Sequence, residues 1–354
     1  MATSKVTLRE VAKRANVHYS TASTVLNGSR GSTVVSEETS RRVIQAAKEL
    51  SYRVNRTAQQ LRTQRSYVVG LLTGDVENPF FARMVSICSA ELARAGYDIV
   101  LAVRRQDDLS DYHLLESLLS RPLAGVLIWN ETLTEVSERA VSSGVENLVV
   151  MGMSITGYDS VAAVLDTGIV DALDHLHGQG YRRIGYFAPS ALLDRHGDPR
   201  DKIYRRKMAE FGLAERVFAY EGSVSDVAAA SVAGQDLGRA IRRRAADAAP
   251  DALLCFNDMN AFGAMMGLRR VGLRVPDDIA LVGCDNLTFT RSLDVGLTTV
   301  DYPLETACRR AVRMLLERID GRGDARDRPP PRSELLTTKL VVRDSSPPVA
   351  KQRP

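Results

Sequence analysis

Residues 6–27 read VTLREVAKRANVHYSTASTVLN, and this stretch decides how the rest of the chain is read. Thr7 and Glu10 stand in Thr-x-x-Glu spacing, which satisfies free amides at a helix start. Leu8, Val11, Ala12 and Ala15 then recur at i, i+3, i+4 and i+7, one apolar helical stripe. Asn16-Val17 interrupts it, and a second helix is predicted from about Tyr19 to Asn27. Ala22, Val25 and Leu26 would face inward, with Tyr19, Ser20, Ser23 and Thr24 on the opposite face. Two short helices joined by a tight turn make a helix-turn-helix. Periodicity alone also suits a small helical bundle with no role on nucleic acid. A third helix is predicted from Ser36, with Glu37 and Glu38 at its positive end and Val43, Ile44, Ala47 and Leu50 as its apolar face.

Charge separates those two readings. Residues 1–65 hold twelve Lys and Arg against four Asp and Glu, a net +8, whereas the whole chain is +4, which leaves −4 for the remainder. A basic head on a mildly acidic body is a phosphate-binding footprint. The 354 residues leave room behind the head for two subdomains, and the 44% apolar and 25% charged content is that of an ordinary globular chain. No apolar signal segment opens the sequence and no run approaches a membrane span, which favours the cytoplasm. Cys88, Cys255, Cys284 and Cys308 are scattered, without CxxC spacing. They read as small buried hydrophobes, and no metal site or cofactor is expected.

From Tyr67 the pattern changes. Apolar strands are predicted at 68–72, 97–103, 125–129, 148–151, 183–188, 217–220, 252–256 and 279–282. Helices are predicted at 79–95, 114–119, 169–179, 202–211 and 261–271. Continuous apolar strands alternating with helices imply parallel sheets covered on both faces. The alternation restarts after Asp166, so two doubly wound subdomains are expected, with a ligand site beyond the carboxyl ends of their strands.

The run from Val6 to Gly28, followed by VSEETSRRVIQAAKELSYRVNRTAQQLRTQRS at 35–66, resembles the head and hinge of the LacI/GalR family of bacterial transcription regulators. Further landmarks follow in that family's order: NPFFA at 78–82, DTG at 166–168, FND at 256–258, VPDDIALVGCDN at 275–286 and LTTVDYP at 297–303. The resemblance implies an all-α helix-turn-helix head on an α/β body of two periplasmic-binding-protein-type subdomains. The implied bounds are 1–52 for the head and 53–65 for the hinge. An N-subdomain of 66–166 with 299–330 and a C-subdomain of 167–298 with 331–346 follow, with crossings near Asp166, Thr298 and Pro330.

It also implies roles. The DNA-binding residues would be Thr7, Tyr19, Ser20, Thr21, Ser23 and Thr24 in the head, with Asn55, Ala58 and Leu61 in the hinge. Leu61 would be an apolar wedge in the minor groove, kinking the duplex. Thr24 stands where the family commonly has Arg. A threonine cannot grip guanine with two bonds, so a different operator is expected. His18 replaces the usual Ser before the second helix, as a cap-side surface residue or as a phosphate contact. Val54 stands in place of Pro. The effector-binding residues would be Asp75, Phe80, Phe81, Asn130, Arg200, Asn257 and Asp285, a mixture of carboxylates, amides, a guanidinium and aromatic faces. Met151-Gly152 lacks the polar group the family often carries there. Trp129 either stacks on a ligand or belongs to the core.

The expected partners are pseudo-palindromic double-stranded DNA, a small-molecule effector and a second copy of the chain, and no membrane. The tail has no leucine heptad, so a homodimer is the expected state. The reading is a transcription regulator, taken as a repressor, and no enzyme. No Gly-x-Ser-x-Gly elbow or phosphate loop is present, and His175 and His177 do not share a helix face. A binding protein with the same body would lack the basic head.

Overall fold

The computed structural model describes residues 6–27, 35–52, 65–104, 111–129, 147–195, 198–243, 249–321 and 329–349. The chain divides into two units, residues 1–67 and 68–354. In the first, α1 (Leu8–Arg14), α2 (Tyr19–Asn27) and α3 (Glu37–Glu49) close around Val11, Ala12, Ala15, Ala22, Val43, Ala46 and Ala47. The predicted capping box is present. Thr7 Oγ1 accepts from the Glu10 amide at 3.4 Å, and Glu10 Oε2 accepts from the Thr7 amide at 2.6 Å. The Thr7 amide and then the Thr7 hydroxyl, which donates to the same Oε2 at 2.9 Å, hold the Glu10 carboxyl below the usual carboxylate range. Asn16 makes the turn with φ 51°, a left-handed conformation that Asn tolerates. Ser36 caps α3 at the Thr39 amide, and Arg14 pairs with Glu49 at 2.6 Å to join α1 and α3.

One helix face departs from expectation. Ile44 is 44% exposed, and Ala46 takes a core position instead. Positions 43, 46, 47 and 50 follow the i, i+3, i+4, i+7 rule, whereas position 44 is a third of a turn off that stripe.

The second unit opens with β1 (Val68–Thr73), α4 (Pro79–Arg94), β2 (Asp98–Val103), α5 (Asp111–Leu119), β3 (Gly125–Trp129), β4 (Leu148–Met151) and β5 (Asp159–Val164). It continues through α6 (Leu165–Gly178), β6 (Ile184–Pro189), α7 (Ser190–Arg195), α8 (Pro199–Phe211), β7 (Val217–Tyr220) and α9 (Val227–Arg243). Then come β8 (Ala252–Cys255), α10 (Asp258–Arg270), β9 (Ala280–Cys284), β10 (Thr298–Asp301), α11 (Leu304–Asp320), β11 (Ser333–Thr337) and β12 (Lys339–Val341). The first sheet runs β11-β5-β4-β3-β1-β2 and is parallel throughout; the second runs β12-β10-β9-β8-β6-β7, with only β12 antiparallel. Each sheet is buried on both faces by separate apolar clusters, which is why its strands read as unbroken apolar runs. The four cysteines are buried within these cores.

The chain passes between the sheets after β5, after β10 and between β11 and β12. Two crossings therefore lie later than expected. Thr298–Asp301 still pairs with β9 of the second sheet, and Ser333–Thr337 pairs with β5 of the first. The turn at Thr338, rather than Pro330, makes the last passage. In both cases the strand beside the crossing is placed by its hydrogen-bonding partner: β10 by the neighbouring β9, and β11 by β5, 173 residues earlier in the chain.

Candidate DNA-reading face and effector cleft

In the head, α2 lies with one side on the core and the other open. Tyr19 and Ser20 are exposed, and Thr21 and Thr24 are half-buried. Ser23 is only 8% exposed, so it does not share the open face; it lies beside Leu26 at the margin of the apolar stripe. His18 acts as a cap. Its Nδ1 accepts from the Ser20 amide at 3.3 Å and lies 2.7 Å from Ser20 Oγ, the role a serine or asparagine usually fills. Among the described residues of α2 no side chain is acidic or basic. The hinge residues Asn55, Ala58 and Leu61, and Asn130 of the body, lie outside the described residues.

In the body, the carboxyl ends of β1 and β3 flank the point where the first sheet's strand order reverses, the usual place for a ligand in such a fold. Asp75 follows β1 and is half-buried. One of its carboxylate oxygens accepts from the Glu77 amide at 2.9 Å, and the Asn78 side chain then caps α4 at the Phe80 amide. Phe80 and Phe81 thus sit on a fixed first turn. Phe80 packs edge-on against Phe81, Trp129 and Tyr302, with ring centroids 5.1–5.4 Å apart. A side chain at Gly74 would come within 2.5 Å of the Phe81 ring, so only glycine permits this approach. Trp129 is 1% exposed and belongs to the core. Its carbonyl accepts from the guanidinium of Arg104, which stands at the end of β2.

The second lobe presents more enclosed groups. Asp198 caps α8, accepting from the Arg200 amide at 3.0 Å and from Arg200 Nη1 at 3.4 Å, and it accepts a short bond from the Tyr186 hydroxyl. Burial and the Asp198 charge together push the Tyr186 hydroxyl well above its ordinary range. Arg200 is 3% exposed, with its guanidinium 4.2 Å from the centre of the Phe256 ring. Asn257 caps α10 through the Asn260 amide and donates to the Val224 carbonyl at 3.0 Å. Both residues are therefore already bonded inside the lobe. Asp285 is half-buried at the end of β9 with φ 117°, followed by Asn286 at φ 52°.

The concavity between the lobes, about 350 Å³, is lined by Gly152, Ala163, Val164, Leu165, Asp166, Pro199, Lys202, Ile203 and Tyr302. Among the described residues, none of the effector residues expected from sequence lines it. Tyr302 links it to them through Phe80 and Trp129. Asp166 pairs with Arg206, and Gly152 leaves the wall without a polar side chain at that position. The crossings meet beside it. Thr338 Oγ1 accepts from the Gly168 amide at 2.9 Å and donates to the Val164 carbonyl at 2.7 Å. A Cβ on Gly168 would lie 2.4 Å from Val300, so the three passages pack directly on one another. Tyr302 was legible as the aromatic of the LTTVDYP run; Ala163 and Ile203 carry no sequence signal of their own.

Comparison with known proteins agrees with this division. Residues 7–55 match the model for bacterial regulatory proteins of the lacI family, and residues 173–346 match that of the periplasmic binding protein-like domain. The chain is 31% identical to the HTH-type transcriptional regulator MalR of Streptomyces coelicolor over 96% of both chains. It is 28% identical to the regulator GalR of Escherichia coli over 89% of this chain and 90% of the other. A lac repressor dimer bound to operator and the anti-inducer ONPF shares the fold, with a TM-score of 0.74 at 24% identity over 97% of this chain and 99% of the other. The transcriptional regulator CelR in complex with cellobiose superposes with a TM-score of 0.64 at 27% identity, covering 96% of this chain and all of the other. The chain belongs to the lacI family of bacterial regulatory proteins, DNA-binding transcription regulators with a helix-turn-helix head and a small-molecule-binding body. Among the described residues no helix is long and apolar enough to cross a membrane.

Proposed function

We propose that the chain is an effector-responsive repressor that binds a pseudo-palindromic operator as a homodimer in the cytoplasm. Tyr19, Ser20 and Thr24 read base edges, Thr7 and Thr21 meet the backbone, and the hinge at 53–65 brings Asn55, Ala58 and the Leu61 wedge to the minor groove. Asp75, Phe81, Asn130 and Asp285 meet the effector directly, while Phe80, Arg200 and Asn257 hold the walls that do so. The observation that carries this reading is the open polar face of α2: Tyr19 and Ser20 stay exposed while Ala22 closes the core beneath them. Effector and operator each favour one setting of the lobes, so binding either changes affinity for the other by the same factor. Catalysis has no place in this scheme.

Operator selection from a random duplex library, using the full-length protein at near-physiological salt, tests it. A pseudo-palindrome is expected, with no guanine fixed at the position Thr24 faces. Titration with cellobiose, the ligand of the CelR relative, comes first among sugar probes for a change in operator affinity. Enrichment of nothing above random DNA, with or without a panel of sugars and purines, would overturn the reading.

A further inference from the structure

Two consecutive residues other than glycine, Asp285 and Asn286, hold positive φ at the carboxyl end of β9. Such a turn persists only where its surroundings over-determine it. Its surroundings centre on Asp258, the first residue of α10, which is wholly buried. Asp258 Oδ2 accepts from the Leu287 amide at 2.7 Å, and Oδ1 accepts from Thr299 Oγ1 at 2.6 Å. Thr299 Oγ1 in turn accepts from the Asn286 amide at 3.2 Å. The far side of the turn is closed by Asn286, whose Nδ2 donates to Asp301 at 2.9 Å and whose Oδ1 accepts from Arg343 at 2.6 Å. The Asp285 amide donates to the Val300 carbonyl at 2.8 Å. Even Gly283 is shaped by this carboxylate, since a Cβ there would lie 2.2 Å from Asp258 Oδ1.

We infer that Asp258 is a positioning residue: its buried carboxylate locks the Asp285–Asn286 turn and so fixes where the second lobe offers Asp285 to the cleft. The inference rests on reading Asp285 as an effector contact. Asp258 itself never reaches the cleft. The charged or titratable groups facing it are Arg343 from the C-terminal segment, Cys255 of β8 and Cys284 of β9, with Asp285 beyond Cys284 and Asp301 of β10 reached through Asn286. Burial pushes the Asp258 carboxyl up to about 7, against the opposing pull of Thr299, Leu287 and Arg343. A protonated carboxyl carries one donor where two donors already point, so protonation loosens the turn.

Hydrogen–deuterium exchange of the full-length protein tests this, comparing wild type with Asp258→Asn and Thr299→Val. In Asp258→Asn, peptides spanning 284–290 are expected to exchange at least tenfold faster, while peptides over β6 keep their rate; Thr299→Val falls between. In wild type the same peptides lose protection between pH 8 and pH 6 after correction for intrinsic rates, and in Asp258→Asn they do not respond. Unchanged exchange at 284–290, equal loss of protection across the whole lobe, or a pH response that survives in Asp258→Asn would overturn the inference. Cellobiose titration, followed by the fluorescence of the sole tryptophan, Trp129, tests the reading beneath it. If the turn opens and a measurable cellobiose affinity is unchanged, the positioning stands and the assignment of Asp285 to the effector falls. If cellobiose leaves the wild type unmoved, exchange alone decides the inference.

Discussion

Asp159 is expected to be among the costliest single residues to remove from the body. Its side chain is fully buried at the start of β5. It accepts from Arg318 Nε at 2.8 Å and Nη2 at 2.9 Å, and from the Arg332 amide at 2.7 Å. This ties the end of α11 and the approach to the edge strand β11 to β5, the strand beside it. In Asp159→Ala, Arg318 keeps its bonds to the carbonyls of Pro329 and Pro330 but loses its counter-charge in a site where it is itself largely enclosed. Breaking a buried pair by deleting one partner costs about 3–5 kcal/mol; the two retained carbonyls place this case near about 3 kcal/mol on that scale. With a urea slope of about 3 kcal/mol/M, the midpoint of body unfolding should fall by about 1 M. The pH dependence carries a sign. Burial pushes the Asp159 carboxyl up, but the Arg318 and Arg332 bonds outweigh it and hold it below the usual range. A carboxyl lowered by folding contributes stability above its unfolded pKa, about 4, and loses it as pH falls through the folded value. The difference between wild type and variant should therefore be flat from about pH 8 to 5 and shrink only below about pH 4. An unchanged midpoint at pH 7, or a difference that already collapses near pH 6, would refute the reasoning.

Further outcomes follow from the same geometry. Thr7→Ala removes the capping box and should lower head stability by about 1 kcal/mol, read as the melting of the isolated 1–67 unit by circular dichroism if that unit folds alone, and of the whole protein otherwise. Gly267→Ala should destabilise the second lobe by at least about 1–3 kcal/mol, because its Cβ would stand 2.1 Å from the Ser231 carbonyl; calorimetry measures the loss. Leu61→Ala should weaken binding to the selected operator without moving the unfolding of the body, and equal affinity would remove the wedge. Asp285→Ala should abolish the effector response while operator affinity stays, so a response that survives would take Asp285 out of the site.

Elements that make their own case locally were legible in the sequence; elements that depend on a distant partner were not. The α1 cap, the α2 stripe and the core strands announce themselves within a dozen residues. The helix α9 went unread although its buried face, Ala230, Ser231, Gly234, Leu237 and Gly238, recurs at helical spacing; all but Leu237 are small, so the stripe carries little apolar bulk. Those residues matter for what they lack: Gly234 and Gly267 let α9 and α10 approach until a Cβ on either would strike the other backbone. The helix α11 carries a full period through Leu304, Ala307, Cys308, Ala311, Val312 and Leu315 and was open to reading, whereas β5, with only alternate small and apolar residues, takes its place from β4 and β11.

The same distinction runs through the site. Family position pointed to Arg200 and Asn257, yet position cannot say whether a polar side chain faces a ligand or spends its bonds on its own lobe, and here Asp198, Phe256 and Val224 hold them. Asp258 stood inside a quoted motif, and nothing within its neighbourhood in sequence suggested a role; its partners Leu287 and Thr299 arrive from 29 and 41 residues away. The residues that line the cleft are likewise brought together by the crossings at Val164–Gly168, Asp301 and Thr338. A change in how the lobes meet must act on these packed passages, because Gly168 leaves no room between Val300 and Thr338 for one to move alone. The concavity lined by Tyr302, Val164 and Leu165 borders these packed passages directly.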